Sequence, residues 1–263
     1  MRWAAEVAYL GSAFSGWQRQ AGSVTVQGAL EEALTRLNGV PSVVEGAGRT
    51  DGGVHARGQV VSFDTARRWE PSRLRLALEG NLPQTLRVLR VAPVDGAFRA
   101  RHDAQYREYV YFLWTETCCY PHLAPYVWHN RTWQDLEPLR ACCRLLPGTH
   151  DFRAFCRAAD CPDESRRTLY AVTLLRRGPI VRLRIRGRGF LTNMVRIIVG
   201  SLDAVARGKR DPSWFASLLG GKGREESGRT APPQGLFLWK VGYVPSPWRE
   251  TSEENMRATG VEE

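Results

Sequence analysis

The chain has 263 residues, 43% of them hydrophobic and 24% charged, the proportions of a globular protein with a substantial core. Its formal net charge is +10, and only three of its 37 basic residues, Lys209, Lys222 and Lys240, are lysine; so arginine-rich a balance points first to nucleic acid, with an anionic membrane or a merely soluble surface as alternatives. No run of about 18 apolar residues suggests a membrane span, and Glu6 interrupts any signal-like opening, so the cytoplasm is the expected location.

Residues Arg2 to Leu10 alternate loosely around alanine and valine and predict a strand. A glycine- and serine-rich loop holding Trp17-Gln18-Arg19-Gln20 follows. From Val24 the period becomes helical, with Val26, Leu30, Ala33, Leu34 and Leu37 on one stripe and Asn38-Gly39 as the stop. Ser42 to Glu45 is a short strand, Gly46 to Gly58 a glycine-rich segment, Gln59 to Asp64 a strand, Ser72 to Leu78 a helix and Leu86 to Val94 a strand. The order is β-α-β-β-α-β, the ferredoxin-like arrangement of many RNA-binding platforms.

The second half repeats that outline. Tyr106 to Trp114 is an aromatic strand, and Gln134 to Leu145 a helix ended by Pro147-Gly148. Leu169 to Arg176 and Ile180 to Arg186 form a hairpin, Asn193 to Ala206 an apolar helix, and Leu236 to Val244 the closing strand. The expected fold is α+β, with two similar ferredoxin-like halves, residues 1–102 and 103–245, around a central basic cleft. Gly220 to Arg224 is expected to be a mobile basic loop, and 246–263 an acidic, disordered tail.

Six cysteines occur as Cys118-Cys119, Cys142-Cys143, Cys156 and Cys161. Their spacings, even with His150 and Asp160 nearby, match no common zinc template, so reduced and mostly buried thiols are expected, with no metal.

The segment Gly46-Ala47-Gly48-Arg49-Thr50-Asp51-Gly52-Gly53-Val54-His55-Ala56 stands out. Its glycines let the backbone approach a ligand closely, yet it carries neither a phosphate-binding loop nor a dinucleotide fingerprint. Arg49 sits two residues before Asp51, an arrangement that could hold an ionised carboxylate facing a polyanion. The plain alternative is that Asp51-Gly52 marks only a turn. Along the hairpin, Val181, Leu183 and Ile185 alternate with Arg182, Arg184 and Arg186. That cationic face is either a solvated sheet surface or part of a phosphate track.

Gly48-Arg49-Thr50-Asp51-Gly52-Gly53-Val54-His55-Ala56 resembles the G-R-T-D-A-G-V-H-A signature of TruA-type tRNA pseudouridine synthases. Gly16-Trp17-Gln18-Arg19-Gln20, Asn81-Leu82-Pro83, Phe98-Arg99-Ala100-Arg101 and Arg107-Glu108-Tyr109-Val110-Tyr111 follow the family's order. So do Gly148-Thr149-His150-Asp151-Phe152, Phe190-Leu191-Thr192-Asn193-Met194-Val195-Arg196 and Ala231-Pro232-Pro233-Gln234-Gly235-Leu236. The chain departs from the family pattern at Leu10, Gly52 and Arg99, none of which removes a catalytic group.

The resemblance implies a pseudouridine synthase fold and an isomerase that converts uridine to pseudouridine in the tRNA anticodon stem-loop, at positions 38, 39 and/or 40. No metal, nucleotide or other cofactor is implied, and the family acts as a homodimer. Asp51 matches the catalytic aspartate and Arg196 the arginine that pairs with it, although a lone arginine in so apolar a helix could also extend to solvent. Tyr109 matches a tyrosine that stacks on the target base, Arg49 is expected near a nucleotide phosphate, and Leu236 matches an apolar residue lining the uracil pocket. The alternative reading is a non-catalytic RNA-binding or tRNA-chaperone protein that keeps the fold.

Overall fold

The computed structural model describes residues 1–248, so residues 249–263 of the expected tail lie outside the described residues. Strand β1 (Arg2–Tyr9) buries most of its length. Helix α1 (Val26–Asn38) begins where Thr25 accepts a hydrogen bond from the Gly28 amide and ends at Gly39, whose φ of 72° is left-handed. Its stripe of Val26, Leu30, Ala33 and Leu34 is buried. β2 (Glu45–Gly46) is short, β3 (His55–Asp64) is longer than expected at its start, and α2 (Pro71–Glu79) opens on a proline that fits the first helical turn. β4 (Leu86–Pro93) completes the half.

The second half contains β5 (Ala104–Trp114), β6 (Trp128–His129), α3 (Glu137–Leu145), β7 (Gly148–Asp151), β8 (Arg166–Arg177), β9 (Ile180–Gly187), α4 (Met194–Ala206), α5 (Pro212–Ser217) and β10 (Leu236–Tyr243). The ten strands among the described residues form one sheet with the main order β4-β1-β3-β10-β5-β9-β8-β7, while β2 pairs with β3 and β6 with β5. Each half therefore runs fourth strand, first, third, second: β4-β1-β3-β2 and β10-β5-β9-β8. The ferredoxin-like order occurs twice.

The strand expected to close the sheet lies instead at its middle. β10 runs parallel to β3 through Phe237 opposite His55 and Leu238 opposite Ala56, and antiparallel to β5 on its other side. β2 pairs only with Val61 and Ser62 of β3, leaving the residues around His55 open to β10. One buried apolar cluster extends from Trp3 and Leu34 to Tyr111, Ile198 and Leu238, so both halves share a core. Gly220 to Arg224, expected as a mobile loop, is tied down: Gly220 bridges to Asp151, and the Arg224 guanidinium reaches Ser227, Gly228 and Thr230.

Candidate active site

The segment joining β2 to β3 is pinned from beneath. Gln59, fully buried in β3, donates to the Gly48 carbonyl at 2.6 Å and accepts from the Gly48 amide at 3.2 Å. Thr50 is buried against the Tyr9 hydroxyl at 2.8 Å, and its carbonyl accepts from the Trp17 amide at 3.0 Å. Gly16 makes this approach possible: its φ is +102°, and a Cβ there would stand 3.0 Å from the Thr50 carbonyl oxygen.

Asp51 then opens a tight turn. Its carbonyl accepts from the Val54 amide at 3.1 Å, and Gly53 takes φ +79° at the third position, as a type II turn requires. Asp51 does mark a turn, and the same residue presents its carboxylate to the other half of the protein. Gly52 tolerates the departure from alanine, since a Cβ there meets nothing closer than 3.6 Å.

Arg196 comes from the first turn of α4. Its Nη1 lies 3.0 Å from Asp51 Oδ2 and also donates to Asn193 Oδ1 at 3.0 Å, while Nε donates to the Ala231 carbonyl at 2.8 Å. It is directed away from the apolar side of the helix, which buries Met194, Ile198, Leu202 and Val205. The pair is partly sheltered, with side-chain exposures of 15% for Arg196 and 30% for Asp51. Asn193 holds φ +62° at the helix start, a conformation asparagine tolerates better than most residues. No periodicity in the sequence discloses that role.

The partners expected around Asp51 share one cleft of about 1850 Å³, lined by Arg49, Tyr109, Arg196 and Leu236 together with Phe190 and Arg188. Tyr109 is buried and meets Phe190 edge-on at 4.8 Å between ring centroids. Burial raises its phenol well above the ordinary value, with Arg107 opposing and Asp51 adding to the rise, so the ring stays neutral. Leu236 is 5% exposed at the start of β10. Arg49 is exposed on the cleft wall and makes no ion pair among the described residues.

Two features read differently in three dimensions. His55 belongs to the glycine-rich motif, but its Nδ1 accepts from the Gly11 amide and its Nε2 faces the Pro125 carbonyl, each at 3.1 Å. With burial lowering its pKa and Phe237 stacked at 4.6 Å, it is a neutral buttress outside the cleft. On the β9 face, Arg184 and Arg186 are engaged by Glu108, each at 2.9 Å, and Arg186 also covers the Tyr106 ring. Those two arginines make a structural ion cluster rather than a phosphate track. Among the described residues no group of three or more His, Cys, Asp or Glu side chains could hold a metal ion, and all six cysteines are free.

Chemically, the cleft offers a carboxylate held by one guanidinium, an aromatic face beside it, an apolar wall, and unpaired cations around the rim. Such a set suits nucleophilic attack on, or ion stabilisation of, a base drawn from a polyanionic strand.

The sequence profile described as tRNA pseudouridine synthase matches residues 5–103 and 142–244, taking in both Asp51 and Arg196. A tRNA pseudouridine synthase A of Brevibacillus brevis is 42% identical over 237 residues, covering 90% of this chain and 97% of the relative. A protein of the same name from Geobacillus kaustophilus is 41% identical over 239 residues, 90% of this chain and 92% of its own. One from Halalkalibacterium halodurans is 42% identical over 233 residues, 88% and 89%. Relatives this similar, matched nearly end to end, leave no doubt about kinship: the chain belongs to the tRNA pseudouridine synthase family.

Proposed function

We propose that this protein isomerises uridine to pseudouridine in the anticodon stem-loop of tRNA, at positions 38, 39 and/or 40. The observation that carries the reading is the 3.0 Å contact between Asp51 and Arg196, which brings together motifs 145 residues apart in a cleft rimmed by arginine. Asp51 attacks the target nucleotide or stabilises its separated base; Arg196 holds and aims the carboxylate through their 3.0 Å contact. The N1–C1′ bond breaks, the uracil turns, and a C5–C1′ bond forms. The proton lost from C5 is balanced by one gained at N1, so the net change is an isomerisation that calls for no cofactor. Tyr109 offers its ring to the extruded base, Leu236 lines the uracil pocket, and Arg49 takes a neighbouring phosphate.

In this reading residues 1–102 carry the Asp51 turn and 103–245 supply Tyr109, Arg196 and Leu236. The repeated strand order supports that division. The protein acts as a homodimer in the cytoplasm, with one tRNA spanning both subunits. The test is unmodified tRNA incubated with purified protein and mapped by carbodiimide chemistry. Pseudouridine is expected with the wild-type protein and absent with Asp51→Ala. An unmodified tRNA, or undiminished product from the variant, overturns the proposal.

A further inference from the structure

Arg107 occupies an unusual position in β5. Its guanidinium is partly buried and has no carboxylate partner among the described residues, yet all five of its N–H donors are engaged by carbonyls. Nε and Nη2 both reach the Ala47 carbonyl, at 3.0 and 2.8 Å. Nη2 also donates to the Arg101 carbonyl, and Nη1 donates to those of Ala104 at 3.3 Å and Arg188 at 2.9 Å. One side chain thus gathers three strands of cleft backbone: the Asp51 segment, the approach to β5, and the exit from β9.

Those backbones carry a distinctive set of side chains. Several cleft-lining arginines are already committed: Arg99 to Glu45, Arg157 to Asp160, and Arg167 to the Glu164 and Arg166 carbonyls. Arg101 and Arg188, whose own carbonyls Arg107 holds, line the same cleft, are exposed, and have side chains without an acidic or carbonyl partner among the described residues. Arg49, two residues beyond Ala47, shares all three properties. Three uncompensated charges are costly to bring together unless a polyanion completes them.

We propose that Arg107 is a positioning residue whose carbonyl contacts fix the backbone from which Arg101, Arg188 and Arg49 project, and that these three form a clamp for the phosphates flanking the target nucleotide. The inference rests on the proposed function for its ligand, RNA, and adds which cations grip it and what orders them. Lysine at position 107 retains the charge but cannot reproduce a planar fork with five donors.

The experiment measures affinity of the full chain for a labelled tRNA anticodon stem-loop across a range of salt concentrations. Arg101→Gln and Arg188→Gln should each reduce the slope of log K against log salt by about one, and the double variant by about two. Arg107→Lys leaves the number of charges unchanged, so a slope lowered by about one or more in a folded variant reports lost positioning. A merely structural Arg107 would lower the melting temperature and leave the slope alone. Unchanged slopes in both glutamine variants, which alter exposed side chains, overturn the clamp even where Arg107→Lys does not fold. A wild-type slope in folded Arg107→Lys overturns the positioning role. RNA binding with the expected slopes but no pseudouridine would sink the proposed reaction and leave the clamp standing.

Discussion

At the scale of single residues, Arg196 decides how well Asp51 is aimed. Its Nε is held by the Ala231 carbonyl while Nη1 bridges Asp51 and Asn193, so the planar fork fixes an angle as well as a charge. Arg196→Lys keeps the charge, but one ammonium cannot satisfy both the carbonyl and the carboxylate from the same helix position. Losing one charge-assisted hydrogen bond corresponds to about 1.5–3 kcal/mol. At about 1.4 kcal/mol per tenfold change, the single-turnover rate of pseudouridine formation should fall roughly 10- to 100-fold. A lysine variant at the wild-type rate would remove Arg196 from the reaction. The motif around Asp51 stood out in the sequence through its resemblance to a family signature, since its residues alone could mark only a turn, and Arg196 stood out as a charge in an apolar helix. Arg107 and Asn193 were not: one bonds carbonyls far along the chain, and the other matters through a backbone angle that no side-chain pattern encodes.

Among the elements, α4 links Arg196 to the loop that follows α5. Asp203, two turns after Arg196, is nearly buried and accepts from Asn130, Thr132, Trp133, Arg207 and Arg229. Arg229 begins the stretch that ends at Ala231, the acceptor for Arg196. Burial pushes the Asp203 carboxyl up, but hydrogen bonds from Arg207, Asn130 and Thr132 outweigh it and hold the pKa below the ordinary value of 3.8. A depressed native pKa means that this stabilisation is full above 3.8 and is lost as pH falls through the native value. Asp203→Asn should therefore destabilise the protein at neutral pH by about 3 kcal/mol or more, and the gap from wild type should close in acid. Urea midpoints near pH 7 and well below pH 3.8 check this; a gap independent of pH would contradict it. Element boundaries followed the sequence closely in α1, where a buried stripe and a stop signal occur together. β6 and β7 were missed because strands of two and four residues are too short to show alternation. α5 was missed although Asp211-Pro212 gives a capping signal, with the Asp211 side chain accepting from the Trp214 amide.

For the whole molecule, the decisive fact is that the last strand is central. Chain order suggests an edge, because a parallel contact between β10 and β3 joins residues nearly 200 positions apart and leaves no local trace. With β10 between β3 and β5, neither half completes its sheet contacts alone, and the apolar cluster continues across the join. Two halves recognisable by repetition should consequently behave as one thermodynamic unit. Leu34→Ala in α1 and Ile198→Ala in α4 remove fully buried side chains from opposite halves, and each should lower stability by about 2–5 kcal/mol. Far-UV circular dichroism and tryptophan fluorescence should give coincident urea transitions for the wild type and for both variants, each variant displaced as a single curve. If Leu34→Ala unfolded the first half at a denaturant concentration where the second stayed native, the halves would be separable units. The pairing of Asp51 with Arg196 would then depend on docking, whereas a single transition makes that pair a property of the fold.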